Sequence, residues 1–365
     1  MIQKLLMDES IKQFTLTKNE IRSDIKSGNI RNIEMNISLK IVYADSDDEE
    51  EVTFENYIND WLYDVKMGKI KPTSFDRLEN TVKYQVVPYI GGIAINRLCS
   101  HDIEGMIQEL KEDYSYSTIK KAFEAVKACL KYAKQRNIIY NNPAELVELP
   151  KNNEALKIKF WSDYEMSLFK NEALRTDEYG MYVYRLGAAF IFLLSTGIRV
   201  GEALALKWSD IDFEKSIVHI NKNVALVKNR DAQKNDKRYV VVEQTAKTRS
   251  GIRIVPLNNL AVSSLEKLKK INGNFEFVLA NSKGGYTLHK NLDRVFKNIL
   301  ENCGLEKTGI HTLRHTFASK LFRSGTDLKI ISEILGHSDI QVTSDIYVHV
   351  MQEQKMSAVN LVDFL

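Results

Sequence analysis

Cysteine is scarce: Cys99, Cys129 and Cys303 are the only three in 365 residues. Their odd number and wide spacing exclude a disulfide-stapled scaffold and a C-x-x-C half-site for a metal. That usage fits a reducing compartment. Long apolar runs are also missing. The longest, around Leu186–Leu194, is about half of the roughly 18–20 residues that a membrane helix needs. The first ten residues include Lys4, Asp8 and Glu9, and no apolar core leads to a small-residue cleavage site, so no secretory signal is expected. Net charge is small as well. Lysine and arginine total 51 against 48 acidic residues, leaving +3, which by itself says nothing about partners.

What is present is an ordinary globular balance of 44% apolar and 27% charged residues, which excludes a wholly disordered or fibrous chain. The length allows two or three domains of roughly 100–200 residues. Charge is distributed unevenly. Residues 1–51 carry 7 positive and 11 negative side chains, residues 52–150 carry 13 of each, and residues 151–365 carry 31 and 24. The excess in the C-terminal half is compatible with a polyanionic partner without demanding one.

The first break is Asp45-Ser46-Asp47-Asp48-Glu49-Glu50-Glu51, a self-repelling run that reads as a solvated linker. Upstream, Leu16–Ser27 predicts a short helix, and the alternation within Ile30–Tyr43 predicts a strand. Residues 1–50 are therefore expected to be a small accessory segment, independent or docked elsewhere on the chain.

From Thr53 the period becomes helical. Phe54, Tyr57, Ile58, Trp61 and Leu62 share one helix face, with Thr53 as N-cap. Further helices are expected over Thr73–Val87, ended by Pro88 and Gly91-Gly92, then over Ser100–Glu112 and Ser117–Arg136, stopped at Asn141-Asn142-Pro143. Residues 53–148 thus predict a helical domain. Lys120, Lys121, Lys127, Lys131 and Lys134 lie along its last long helix, and Lys151, Lys157 and Lys159 in the linker that follows. Basic stripes of this kind are commonly solvated faces. Here they are candidate contacts to phosphate, which supply affinity rather than sequence choice.

The region 158–365 opens with Ser162 and Glu165 spaced as a capping box. Leu186–Leu194 predicts a buried helix. Strands are expected at Ile217–Ile220, Tyr239–Glu243 and Ile252–Pro256, with a polar loop over Lys228–Arg238 and mainly helices after Leu260. The fold class is mainly α with a small antiparallel β-sheet.

Chemistry-bearing residues recur along this half. Ser195-Thr196-Gly197-Ile198-Arg199 precedes a short helix, and Lys247 stands in a turn, Lys247-Thr248-Arg249-Ser250-Gly251. His311 and Arg314 fall at i and i+3, which places them on one helix face. Leu335-Gly336-His337 and then Tyr347 follow. Each piece alone has an ordinary structural reading. His311 and His315 at i and i+4 could in principle ligate zinc, but no glutamate stands between them and Arg314 would repel the ion. No metal or cofactor is expected.

In this order and spacing the set resembles the tyrosine recombinase family, the integrases of phages and conjugative transposons, over residues 53–360. The resemblance implies a helical core-binding (SAM-like) DNA-binding domain at 53–148 and a mixed α/β catalytic domain at 158–365. It implies catalytic roles for Arg199, Lys247, His311, Arg314, His337 and the nucleophile Tyr347. Lys222, Lys228, Lys234 and Lys237 compete with Lys247 for its role; the Ile-Arg-Ile-Val-Pro-Leu that follows favours Lys247. His315 and His349 are expected to be supporting residues.

The implied activity is site-specific recombination through a 3′-phosphotyrosine, serving integration and excision of a mobile element in a bacterial cytoplasm, at the nucleoid. The implied partners are double-stranded DNA, three further copies in a tetramer on DNA from a free monomer, and a directionality factor, with no membrane. A resolvase of chromosome or plasmid dimers is the alternative with the same chemistry, and a catalytically idle DNA-binding regulator is the alternative of another class. The apolar set from Val350 to Leu365 is expected to pack on its own or a neighbouring protomer.

Overall fold

The computed structural model describes residues 51–150, 159–233, 236–245 and 251–336. The expected helix and strand of residues 1–50, together with Lys151, Lys157, Lys247, His337, Tyr347 and the apolar C-terminal set, lie outside the described residues.

The first lobe is helical. Helix α1 (Phe54–Asp60) starts as expected, with the Thr53 hydroxyl accepting from the Asn56 N–H at 3.3 Å. It widens into a π-turn over Trp61–Lys66. Helix α2 (Pro72–Thr81) widens likewise over Val82–Val86 and continues as α3 (Val87–Ile90). Pro88 was expected to end this helix and does not. It stands in the first turn of α3, where a missing N–H removes no intrahelical bond. The chain leaves the helix at Gly91, whose N–H reaches Val87 O at 3.0 Å. Helices α4 (Ser100–Asp113) and α5 (Tyr116–Gln135) complete the lobe.

Its core gathers Phe54, Ile58, Trp61, Phe75, Met106 and Phe123, with Val126 and Leu130 from α5. Each such side chain contributes about 1.5–3 kcal/mol on burial. Cys129 is fully buried in this core, and burial pushes its thiol well above the ordinary cysteine range, so it is inert.

The second lobe begins at Trp161. Ser162 and Glu165 close the expected capping box on α6 (Asp163–Ala173): the Glu165 N–H donates to Ser162 Oγ at 3.3 Å, and the Ser162 N–H to Glu165 Oε2 at 2.8 Å. Helix α7 (Gly187–Thr196) is buried along its whole length. An aromatic cluster of Trp161, Phe169, Phe190 and Phe296 packs beside it, with ring centroids 4.7–6.1 Å apart.

After the short helix α8 (Val200–Ala205) the described residues form two antiparallel sheets where one was expected. Strands β1 (Ile211–Asp212), β2 (Ile217–Ile220) and β5 (Arg253–Pro256) pair in the order β1-β2-β5. Strands β3 (Lys222–Lys228) and β4 (Tyr239–Thr245) form a separate hairpin. Strand β3 was not anticipated. Its buried residues are Val224 and Val227, three apart, so it lacks the period of two that marks a half-buried strand. Helices α9 (Asn259–Asn272), α10 (His289–Asn302), α11 (His311–Arg323) and α12 (Leu328–Leu335) follow.

The lobes also touch away from the linker. Lys228 donates its N–H to Asp76 Oδ2 at 2.8 Å and its ammonium to Glu79 Oε2 at 2.5 Å. Arg230 reaches Asp76 Oδ1 at 2.5 Å and Glu79 Oε2 at 3.1 Å, with its guanidinium 4.5 Å from the Phe75 ring centre. Tyr63 donates to Glu79 Oε1 at 2.7 Å. Part of the loop expected to be merely polar therefore ties the hairpin to helix α2.

Candidate active site

Two glycines set the backbone of the site. Gly197 ends α7 with φ +64°, in the left-handed region where a side chain is costly. An added Cβ would lie 2.3 Å from Phe317 Cδ1 and 2.9 Å from Leu335 Cδ2. The turn at Gly197 sends the chain into α8 with Arg199 at its N-cap. Glu202, at the third helical position, accepts the Arg199 N–H at 2.9 Å. Gly336 ends α12 in the same left-handed conformation, with φ +68°.

Helix α11 starts at His311 and carries Arg314 one turn on. Arg199, His311 and Arg314 line a common indentation with Val200, Ile310 and Leu313. The structure thus brings together three of the sequence-predicted residues, from segments more than a hundred positions apart. Arg314 is buried, donating from Nη1 to Gly197 O and from Nη2 to Leu335 O, each at 2.8 Å. Arg199 is partly open to solvent. It donates from Nη1 to Glu202 Oε1 and from Nη2 to Gly336 O, each at 2.9 Å. A third guanidinium, Arg253 of β5, reaches Ile334 O at 2.7 Å.

Three consecutive carbonyls at the end of α12 therefore each accept from an arginine. Terminal helix carbonyls lack intrahelical partners and carry the negative end of the helix dipole, so cations belong there. The ladder pins the segment that leads directly to His337.

Glu202 is buried. Burial works to raise its pKa, but bonds from Arg253 and Arg199 outweigh it and hold the carboxylate below its ordinary range. His311 and His315 have ring centres 6.4 Å apart. Burial by the surrounding protein, then the charges of Arg314, His289 and Arg199, hold His311 below the ordinary histidine value. His315 is brought down to about 4, mainly by burial and then by His311 and Arg314. Both imidazoles are therefore neutral at neutral pH.

Two competitors of Lys247 are engaged elsewhere: Lys222 pairs with Glu243 at 3.6 Å and Lys228 with Glu79. Of the helix lysines, Lys120, Lys121 and Lys131 are exposed, Lys127 lies 5.5 Å from the Phe123 ring centre, and Lys134 pairs with Glu145 at 3.4 Å. Lys159 pairs with Glu306. Sequence reasoning missed Glu202 and Arg253. Glu202 had a readable signal, three residues after an arginine at a helix start. Arg253 had none, because its partners lie 51 and 81 positions away.

A helical lobe joined to a mixed lobe, whose site gathers arginines and a histidine, with no group of ligands for a metal among the described residues, defines a class: proteins equipped to hold a phosphate-like anion. The family model described as "Phage integrase family" matches residues 171–354, and the one described as "Phage integrase central domain" matches residues 54–148. The chain is 31% identical to a "Tyrosine recombinase XerC-like" protein of Caldanaerobacter subterraneus subsp. tengcongensis, covering 87% of this chain and 84% of that one. It is 25% identical to the "Integrase" of Staphylococcus phage L54a over 88% of this chain and 95% of that protein.

Among solved structures it is similar in fold to the Tn1549 transposon integrase in complex with transposon right end DNA. The TM-score is 0.69 at 21% identity, covering 85% of this chain and 99% of that one. It is also similar to a lambda integrase tetramer bound to a Holliday junction, with a TM-score of 0.61 at 17% identity, covering 82% and 78%. The chain belongs to the phage integrase family of tyrosine recombinases. No helix among the described residues is long and apolar enough to cross a membrane.

Proposed function

We propose that the protein is the integrase of a mobile element, cutting and rejoining DNA at specific sites to integrate and excise that element. The observation that carries this reading is the convergence of Arg199, His311 and Arg314 in a chain of this family. Cleavage of a phosphodiester builds charge on the non-bridging oxygens. Arg199 and Arg314 clamp those oxygens, which guanidiniums do bidentately and a lysine cannot. Preorganised charge of this kind lowers a barrier by several kcal/mol.

The Tyr347 hydroxyl attacks phosphorus. Its proton passes to His311 while His337 hydrogen-bonds the phosphate or positions the nucleophile; the new Tyr347 Oη–P bond forms, and the bond from phosphorus to the 5′-oxygen breaks. Lys247 gives the departing oxygen its proton. The phosphotyrosine keeps the bond energy, so a 5′-hydroxyl from another strand reverses the step without ATP. Fixed cations stand where a metal ion stands in other phosphoryl-transfer enzymes, and no metal is required.

In this reading residues 53–148 and 158–365 hold the DNA duplex between them, and residues 1–50 are an accessory segment. Lys120, Lys121, Lys127, Lys131, Lys134, Lys151, Lys157 and Lys159 bind the phosphate backbone. Monomers assemble as a tetramer on DNA in the bacterial cytoplasm, at the nucleoid, and a directionality factor biases the outcome. The similarity to a "Tyrosine recombinase XerC-like" protein supports a second reading, the resolution of chromosome or plasmid dimers. Recombination between an element's ends and unlinked target DNA favours the integrase; recombination confined to identical repeats favours the resolvase.

The test uses nicked duplexes tiling the DNA on either side of the gene, with chelator present and ATP absent. Wild-type protein is expected to leave a covalent protein–DNA adduct on a denaturing gel, and Tyr347→Phe none. No adduct from wild type, or an adduct that survives Tyr347→Phe, sinks the proposal. Cleavage that needs a metal refutes the metal-free mechanism.

A further inference from the structure

Arg253 is more deeply enclosed than Arg199: its side chain is 7% exposed against 36%. Unlike Arg199, it is not a solvent-facing cation. Its side-chain bonds face inward. Nη1 and Nη2 donate to Glu202 Oε1 and Oε2 at 3.0 and 2.9 Å, a bidentate pair, and Nε donates to Ile334 O at 2.7 Å. The same two Glu202 oxygens take Nη1 and the backbone N–H of Arg199 at 2.9 Å each. One carboxylate is thus shared between two guanidiniums.

The charges matter as much as the bonds. Arg253 and Glu202 alone form a neutral pair, which leaves the positive charge of Arg199 uncompensated. Without Arg253, the buried carboxylate has Arg199 as its remaining guanidinium partner. The pair Arg199–Glu202 then becomes neutral, and the second Glu202 oxygen competes for the guanidinium that a phosphate needs. Arg253 and Arg199 also grip neighbouring carbonyls at the end of α12, Ile334 and Gly336, so both set where that helix end lies.

From this geometry, and resting on the recombinase reading above, we propose that Arg253 is a positioning residue for strand cleavage: it neutralises Glu202 and thereby leaves Arg199 cationic and correctly placed for the scissile phosphate.

The test is single-turnover cleavage by the full chain, at the phosphate mapped from the wild-type adduct, on two duplexes. One carries the natural phosphate, and the other a methylphosphonate at that position, which lacks the oxyanion that Arg199 faces. Arg253→Gln is expected to bind DNA as wild type does and to cleave the phosphate duplex roughly 100-fold more slowly, the scale of a misplacement of about 1 Å. On methylphosphonate its deficit is expected to shrink to a few-fold. Arg253→Lys, which keeps the charge, is expected to recover most of the rate.

The ratio between the two duplexes is read on one preparation, so it does not depend on the folded fraction. Equal deficits on both duplexes, or wild-type cleavage by Arg253→Gln, overturn the proposal. So does failure of both variants to fold, which assigns Arg253 to stability alone. An absent wild-type adduct is a different failure: it removes the recombinase reading itself, and this proposal with it.

Discussion

Replacing Gly197 by alanine tests the site's backbone most directly. The perturbation is one methyl group at φ +64°. Left-handed backbone costs a residue with a Cβ about 1–2 kcal/mol. The methyl would also stand 2.3 Å from Phe317 Cδ1 and 2.9 Å from Leu335 Cδ2, far inside contact distance. Overpacking of that kind costs about 1–3 kcal/mol. The expected destabilisation is therefore about 2–5 kcal/mol, or a drop in Tm of about 5–20 °C for a lobe of this size.

Gly304→Ala is the control. Its φ is +68°, and an added Cβ meets nothing within 4 Å, so it carries the conformational cost of about 1–2 kcal/mol alone. Calorimetry on both variants separates the two contributions. Gly197 and Leu335 also supply the carbonyls that hold Arg314, so cleavage should fall further than DNA affinity in Gly197→Ala. Equal losses of stability in the two variants would refute the steric reasoning. Unchanged cleavage would refute the link to Arg314.

Three further outcomes follow from the same geometry. Glu79→Gln should cost about 1–3 kcal/mol and speed amide exchange in the β3–β4 hairpin, because it takes the carboxylate from the Lys228 ammonium and leaves Arg230 with Asp76 as its acidic partner. Burial raises the Glu79 pKa, but bonds from Lys228 and Tyr63 and the charge of Arg230 lower it overall, so this tie is full above the ordinary carboxylate pKa and lost as pH falls below it. Unchanged exchange in Glu79→Gln would show that the contact holds nothing.

His315, kept neutral down to about pH 4, binds a proton near pH 6.5 once unfolded. Stability should therefore be complete above that value and decline as pH falls toward 4, and His315→Gln should flatten the Tm profile in that window. A variant with the wild-type slope contradicts the assignment. Lys131→Gln should lower the slope of log affinity against log salt by about 0.9, the contribution of one phosphate contact. Lys134→Gln should lower it less, because Lys134 already pairs with Glu145; equal slopes in both would count against the proposed DNA face.

Local signals carried far along this chain. Thr53 and the Ser162–Glu165 pair cap helices because capping needs only side chains within one turn. Gly197 and Gly336 also end helices in the left-handed conformation, although the expected helix bounds did not single them out. The π-turn over Val82–Val86 that precedes Pro88, and the strand β3, were hidden. The first depends on backbone widening that leaves no mark in residue type. The second follows a burial pattern set by its hairpin partner and by α8 rather than by alternation.

By itself the sequence determined that Arg199 stands at a helix start and that His311 and Arg314 lie one helical turn apart. Those facts are local, written in spacing. Only the tertiary structure decided how the charges are shared. Glu202 serves two arginines, three guanidiniums close on the end of α12, and the Lys228–Arg230 segment turns toward the helical lobe. Apart from the Arg199–Glu202 pair, which lies within one helical turn, these contacts join residues tens to more than a hundred positions apart. Pairing at such distance depends on burial and competition among partners, and no short window of sequence contains it.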